Sequence, residues 1–213
     1  MTWTSAFGKA CGKLLSVIVN RIALARISPN FLTFLGLVID TVAAFLFGYA
    51  NADNQARMFF YAGLVIFGAG FFDLVDGRVA RASNQVTRFG AFFDSVVDRY
   101  SDAALFFGLL VYYSRGGRFF YVVLVALAMI SSVMVSYTRA RAESLIDTCK
   151  VGFMERPERL VLLIIGAVFN RMAPVLWVIA VLSTVTVAHR IYYTWLQTER
   201  PERTPVVTGR TAA

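Results

Sequence analysis

Residues 73–98 read DLVDGRVARASNQVTRFGAFFDSVVD, and the spacing of four aspartates within them decides the fold. Asp73 and Asp76 lie three residues apart, and Asp94 and Asp98 lie four apart. Either spacing puts two side chains on one face of a helix. Apolar sequence runs into the first pair over 58–74 and out of the second over 91–113, with Gly77, Gly90 and polar residues between. Two helices joined by so short a connection are antiparallel neighbours, so both pairs can converge on one point.

The same apolar character continues outward. Six stretches, 31–50, 58–74, 91–113, 119–137, 160–172 and 174–195, approach the length needed to cross a bilayer, which is about 20 residues. The fifth is short and is extended by the residues leading into it. Of the 213 residues, 58% are hydrophobic and 16% charged, with mean hydropathy +0.63. A soluble domain carries about 25% charged residues. The net charge of +8 therefore points to anionic headgroups rather than to nucleic acid. The sequence predicts an all-α fold, a six-transmembrane helix bundle over 28–198.

Basic residues orient that bundle. With both termini cytosolic, 17 of the 21 Lys and Arg fall on the inner side, and only Arg57, Arg115, Arg118 and Arg171 fall outside. A multi-pass protein of the cell (inner) membrane follows, with its aspartates at the cytosolic face. Ahead of the bundle, Phe7, Leu14, Leu15, Ile18 and Ile22 alternate with Lys9, Lys13 and Arg21, and no cleavable signal peptide is read there. Residues 1–27 are expected to form an amphipathic juxtamembrane helix on the inner surface, or else a soluble helix packed on the loops. Residues 199–213 are expected to be a disordered cytosolic tail. Cys11 and Cys149 have no metal-ligand spacing and are expected as free thiols.

One aspartate at the end of a span is ordinarily a solvated end or a cap. Four facing one another at a membrane surface need compensation, and Asp73 and Asp76 also oppose the dipole at the end of their helix. Two divalent cations would supply +4 against −4. An all-oxygen donor set suits Mg²⁺ or Mn²⁺ rather than zinc, and two such ions about 3.5–4 Å apart are the usual clamp for phosphoryl displacement. Gly77 permits close approach of a diphosphate, Arg81 can pair with phosphate oxygens, and Gly90 opens space where the next helix starts. Asp102, one turn further along than Asp98, reads as an outer partner rather than a ligand.

The segment resembles the signature of the CDP-alcohol phosphotransferase family, D-x2-D-G-x2-A-R-x8-G-x3-D-x3-D. Asp73, Asp76, Gly77, Ala80, Arg81, Gly90, Asp94 and Asp98 occupy all eight fixed positions without a gap. Ser28-Pro29-Asn30, Thr33 and Gly36 resemble the family's first-span sequence. The resemblance implies a CDP-linked donor, CDP-diacylglycerol, whose diphosphate bridges two metals held by Asp73, Asp76, Asp94 and Asp98. It places Asn30, Thr33, Asp73, Gly77, Ala80 and Arg81 around the donor. It makes Asp98 the general base on the attacking hydroxyl, and it implies a homodimer.

For the acceptor, the informative residues are Arg139, Arg141, Arg156, Arg159 and Arg190, all on the side of the aspartates. Arginine in excess over lysine suits bidentate recognition of a second phosphate, although the positive-inside rule alone would also place arginines here. Residues 139–143 (RARAE) and 155–160 (ERPERL) resemble the branch of the family whose acceptor is inositol phosphate. The string ERPER recurs at 199–203, so it is its position before a span, with Pro157 suited to a first helical turn, that carries weight. The expected reaction is phosphatidyl transfer to inositol phosphate with release of CMP. Two alternatives stand beside it. Glycerol 3-phosphate is also an anionic acceptor, and a transporter with an aspartate cation site would account for Asp40 inside the first span.

Overall fold

The computed structural model describes residues 28–82 and 86–199, and the side chains of Leu74 and of residues 76–82 also lie outside the description. The expected amphipathic helix over 1–27 and all but Glu199 of the expected tail fall outside the described residues. The described chain is all-helical: α1 (Pro29–Tyr49), α2 (Gln55–Ala82), α3 (Arg88–Arg115), α4 (Phe119–Ala142), α5 (Arg156–Val168) and α6 (Met172–Thr198).

Local chemistry sets the boundaries. Pro29 starts α1, where its missing N–H costs nothing. Thr87 caps α3, its Oγ1 accepting from the Gly90 N–H at 2.9 Å. Gly117, at φ +64°, turns the chain from α3 into α4. A reciprocal capping box between Glu155 and Glu158, with Pro157 in the first turn, starts α5.

Four helical segments are long and apolar enough to cross a membrane: α1, Gln55–Asp73 of α2, α4 and α6, with mean hydropathies of 2.1, 1.3, 2.4 and 1.8. Six were expected, and the two others fall short for different reasons. The 28 residues of α3 would reach about 42 Å at 1.5 Å per residue, but Asp94, Asp98, Arg99 and Asp102 leave 103–114 as its longest uncharged run. The 13 residues of α5 reach about 20 Å, less than the ~30 Å hydrocarbon core.

α1 packs on α2 and α3, α2 on α5, α3 on α4, α4 on α6, and α5 on α6. Phe47, Phe59, Ile66, Leu105, Leu109, Leu163, Leu176 and Ile179 fill the interior. The rings of Phe47, Phe59 and Tyr112 meet edge-on at 5.0 Å. α1 and α3 cross at Gly108, where a Cβ would lie 2.2 Å from the Ala44 carbonyl oxygen, so glycine sets the closeness of that contact. Phe45, Phe67, Phe107, Ile130 and Val185 point outward on five different helices. An outer surface this apolar suits lipid rather than water.

Candidate active site

One end of the bundle gathers the carboxyl end of α2, the first turns of α3, the start of α5 and the middle of α1. At its centre lies Arg156. Its Nη1 donates to Asp73 Oδ2 at 2.5 Å and stands 2.8 Å from Asp98 Oδ1. Its Nη2 stands 4.0 Å from Asp40 Oδ2, and its Nε 3.7 Å from Asp102 Oδ1. Burial works against the charge on this guanidinium, but Asp98, Asp73 and Asp102 outweigh it and hold its pKa above the ordinary arginine value. Behind it, Arg159 and Asp102 form a buried ion pair. Asp94 and Asp98 also feel the charge of Asp73.

The first helix supports this cluster closely. A Cβ on Gly36 would lie 3.1 Å from Asp73 Oδ1, so glycine there lets the Asp73 carboxylate rest against α1. The Asn30 side chain reaches the start of α3, its Oδ1 3.3 Å from where a Gly90 Cβ would stand. Thr33 is buried and donates to the Pro29 carbonyl at 3.2 Å. Asp40 is 2% exposed, is hydrogen-bonded by Ser101, and keeps an Oδ1 with no hydrogen-bond partner.

The donor set is made of carboxylate oxygens, with the unpartnered Asp40 Oδ1 beside it, and such oxygens suit a hard divalent cation. Among the described residues no three His, Cys, Asp or Glu side chains close on one metal position. The Asp76 side chain, the fourth expected ligand, lies outside the described residues, as do the side chains of Ala80 and Arg81 and whatever faces Gly77.

Directly beside the aspartates opens a polar cavity of about 350 Å³ lined by Ser95, Arg99, Arg139, Glu155, Arg156 and Arg190, among others. α3 serves both regions. Asp94 and Asp98 are four apart on one face, and Ser95 and Arg99, one residue further round, are four apart on the neighbouring face. Arg99 bonds back to Ser95. Arg139 is steadied by Glu143 at 3.1 Å and by Glu155 at 3.0 Å.

The five arginines expected at the acceptor site divide three ways. Arg139, Arg156 and Arg190 line the cavity. Arg190 is 2% exposed and spends its nitrogens on the Val151 and Val135 carbonyls, at 2.8 and 2.5 Å, and on Glu155 Oε1, at 2.8 Å. Arg159 is buried against Asp102, away from the cavity wall. Arg141 is exposed, bonds Ser144 Oγ at 3.2 Å and faces a separate groove.

Two features were missed in the sequence. Arg99 lines the cavity, and its signal was available in its place one residue past Asp98. That Arg156 answers the aspartates had no local signal, because 83 residues separate it from Asp73.

Known proteins are similar to this chain in sequence and fold. The profile of the CDP-alcohol phosphatidyltransferase family matches residues 26–194. The archaetidylinositol phosphate synthase of Pyrococcus horikoshii is 36% identical over 176 residues, covering 82% of this chain and 87% of the relative. The phosphatidylinositol phosphate synthase of Mycobacteroides abscessus is 34% identical over 189 residues, covering 84% and 83%. The crystal structure of Mycobacterium tuberculosis phosphatidylinositol phosphate synthase with CDP-DAG bound superposes with a TM-score of 0.77 at 28% identity, over 94% of this chain and all of that one. The same enzyme in complex with manganese and citrate gives a TM-score of 0.74 at 28% identity, over 93% of both chains. With its eight signature residues in register and that fold around them, this chain belongs to the CDP-alcohol phosphatidyltransferase family and is an enzyme of that type.

Proposed function

We propose that this enzyme transfers the phosphatidyl group of CDP-diacylglycerol to inositol phosphate, giving phosphatidylinositol phosphate and CMP. The observation that carries the reading is the basic cavity sharing Arg156 with the aspartates. A phosphorylated alcohol in that cavity would have its phosphate among arginines and its hydroxyl toward Asp98. The names of the relatives support the same acceptor. The Pyrococcus and Mycobacteroides enzymes are named for different lipids, archaetidyl and phosphatidyl, but both for inositol phosphate.

In this reading the acceptor hydroxyl oxygen bonds to the phosphorus carrying the diacylglycerol. The bond from that phosphorus to the bridging oxygen breaks, and CMP leaves with the electron pair. Asp98 takes the hydroxyl proton. Two Mg²⁺ or Mn²⁺ ions held by Asp73, Asp76, Asp94 and Asp98 would bind the diphosphate and offset the charge developing on CMP. Asn30, Thr33, Gly77, Ala80 and Arg81 would surround the cytidine and its phosphates. Arg139 and Arg156, with Arg99, would hold the acceptor phosphate, while Arg190 and Arg159 keep the loop and Asp102 in place.

The unit performing this is 28–198, crossing the cell membrane six times with its active site and both termini cytosolic. The assembly is a homodimer. In the six-span arrangement α3 crosses with Asp98 and Asp102 paired to Arg156 and Arg159, and α5 crosses together with the residues leading into it.

The test is CMP release from CDP-diacylglycerol against inositol phosphate, free inositol, glycerol 3-phosphate and serine. Inositol phosphate should give the largest kcat/KM. Preference for glycerol 3-phosphate would favour the second reading, phosphatidylglycerophosphate synthesis, which the same basic cavity could serve. Efficient use of free inositol would remove the phosphate-binding role of the cavity.

A further inference from the structure

At the end of the bundle opposite the aspartates lies a second polar cavity, of about 500 Å³, lined by Ala50, Asn51, Gln55, Tyr112, Arg115 and Arg118, among others. Asp98 and Arg115 are both on α3, 17 residues apart. At 1.5 Å per residue that is about 26 Å, close to the thickness of a bilayer's hydrocarbon core. The cavity therefore sits at the other membrane interface, where arginine is scarce by the charge bias of this sequence.

Arg115 and Arg118 have no carboxylate within 4.0 Å among the described residues. Arg115 is nonetheless fixed, its Nη1 donating to the Gly48 carbonyl at 2.7 Å. The polar floor is ordered as well. Tyr112 donates to Gln55 Oε1 at 2.5 Å, and Gln55 Nε2 donates to Asn170 Oδ1 at 2.8 Å.

Arg115 also closes one end of an apolar groove of about 360 Å³ between α1 and α3, lined by Phe45, Gly48, Tyr49, Phe107, Gly108 and others. Gly108 and Gly48 shape this groove, Gly108 by letting the helices close at Ala44 and Gly48 by leaving room against the Val111 side chain. A cationic cavity at an interface, continuous with an apolar groove running into the bilayer, has the two halves that a phospholipid requires.

We propose that this surface binds an anionic phospholipid of the leaflet opposite the active site, its phosphate between Arg115 and Arg118 and an acyl chain in the α1–α3 groove. Charge complementarity selects the occupant. Two arginines without carboxylates, one of them held on the Gly48 carbonyl, suit a phosphate, and the groove distinguishes a lipid from a free anion. The site is distinct from the donor and acceptor sites and does not depend on the reaction proposed above.

The test is thermal unfolding of the detergent-solubilised full chain titrated with phosphatidylglycerol, phosphatidylcholine or inorganic phosphate. Phosphatidylglycerol should raise the midpoint more than phosphatidylcholine does, and inorganic phosphate should not reproduce the shift. Arg115→Gln/Arg118→Gln should weaken the apparent affinity for phosphatidylglycerol at least about tenfold, the equivalent of one charge-assisted hydrogen bond. Arg118→Gln alone, which leaves Arg115 on the Gly48 carbonyl, should also weaken it, and it serves if the double variant does not fold. Arg171→Gln removes a charge at the same end without touching the cavity and should leave the affinity unchanged. Equal shifts with both lipids, full retention in the Arg118 variant, or an equal loss in the Arg171 variant would each overturn the proposal. A shift reproduced by inorganic phosphate would make the ligand a free anion and overturn the lipid assignment.

Discussion

Asp98 and Arg159 illustrate two kinds of charged residue at this site. Asp98 is partly accessible, 2.8 Å from Arg156 and next to the basic cavity. Asp98→Asn keeps the shape of the side chain but cannot accept a proton, so turnover should fall about 10²- to 10⁴-fold while CDP-diacylglycerol binding persists. Near-normal turnover would place the base elsewhere, and lost donor binding would make Asp98 chiefly a ligand. Arg159 is 1% exposed and its partner is Asp102. Arg159→Ala takes from the buried Asp102 its hydrogen-bonded partner, leaving it only Arg156 at 3.7 Å, and should cost about 3 kcal/mol of stability, read as unfolding in detergent. Arg141→Ala, at an exposed site, should leave the midpoint unchanged. A folded, equally stable Arg159→Ala enzyme with only a raised KM for the acceptor would return Arg159 to the acceptor site. The sequence reading groups these arginines on the side of the aspartates, yet their roles depend on which helix face each occupies and on what packs against it. Arg156 and Arg159 are three residues apart, and one reaches the cluster while the other is sealed behind it.

At the scale of the helices, the two spacings in residues 73–98 predict two helices that are direct neighbours, but among the described residues α2 and α3 each pack chiefly on α1, and Asp73 and Asp98 meet through Arg156. What the sequence did not separate was length from polarity. α3 was counted as an ordinary span because its apolar half is continuous with its charged half, and the structure answers those charges with α5 rather than with water. α5 is correspondingly short, since its first turn must deliver Arg156 and Arg159 inward and its capping box fixes where that turn starts. Helix contacts make a sharper prediction about glycine. Gly108→Ala puts a Cβ 2.2 Å from the Ala44 backbone oxygen, which only separation of α1 and α3 can relieve, and such overpacking costs about 1–3 kcal/mol. Gly68→Ala meets nothing within 4 Å in mid-helix and should be neutral or stabilising by up to about 1 kcal/mol. Comparing their unfolding midpoints in the same detergent checks this. Equal midpoints would mean that the α1–α3 contact is looser than described.

For the whole molecule, the proposed reaction has two substrates meeting at Arg156, the donor over the aspartates and the acceptor in the basic cavity. Metal removal bears on the donor half. Chelation with excess EDTA should abolish turnover and added Mg²⁺ or Mn²⁺ should restore it, whereas full activity in EDTA would sink the two-metal proposal. The acceptor half is tested most directly by Arg139, which lines the cavity, is held by Glu143 and Glu155, and forms no ion pair with the aspartates. Steady-state kinetics of Arg139→Ala, varying each substrate separately, should give a KM for inositol phosphate raised about tenfold or more, the loss of one charge-assisted hydrogen bond, with the KM for CDP-diacylglycerol unchanged. Equal increases for both substrates, or no increase for inositol phosphate, would contradict the division of the site into a donor face and an acceptor cavity.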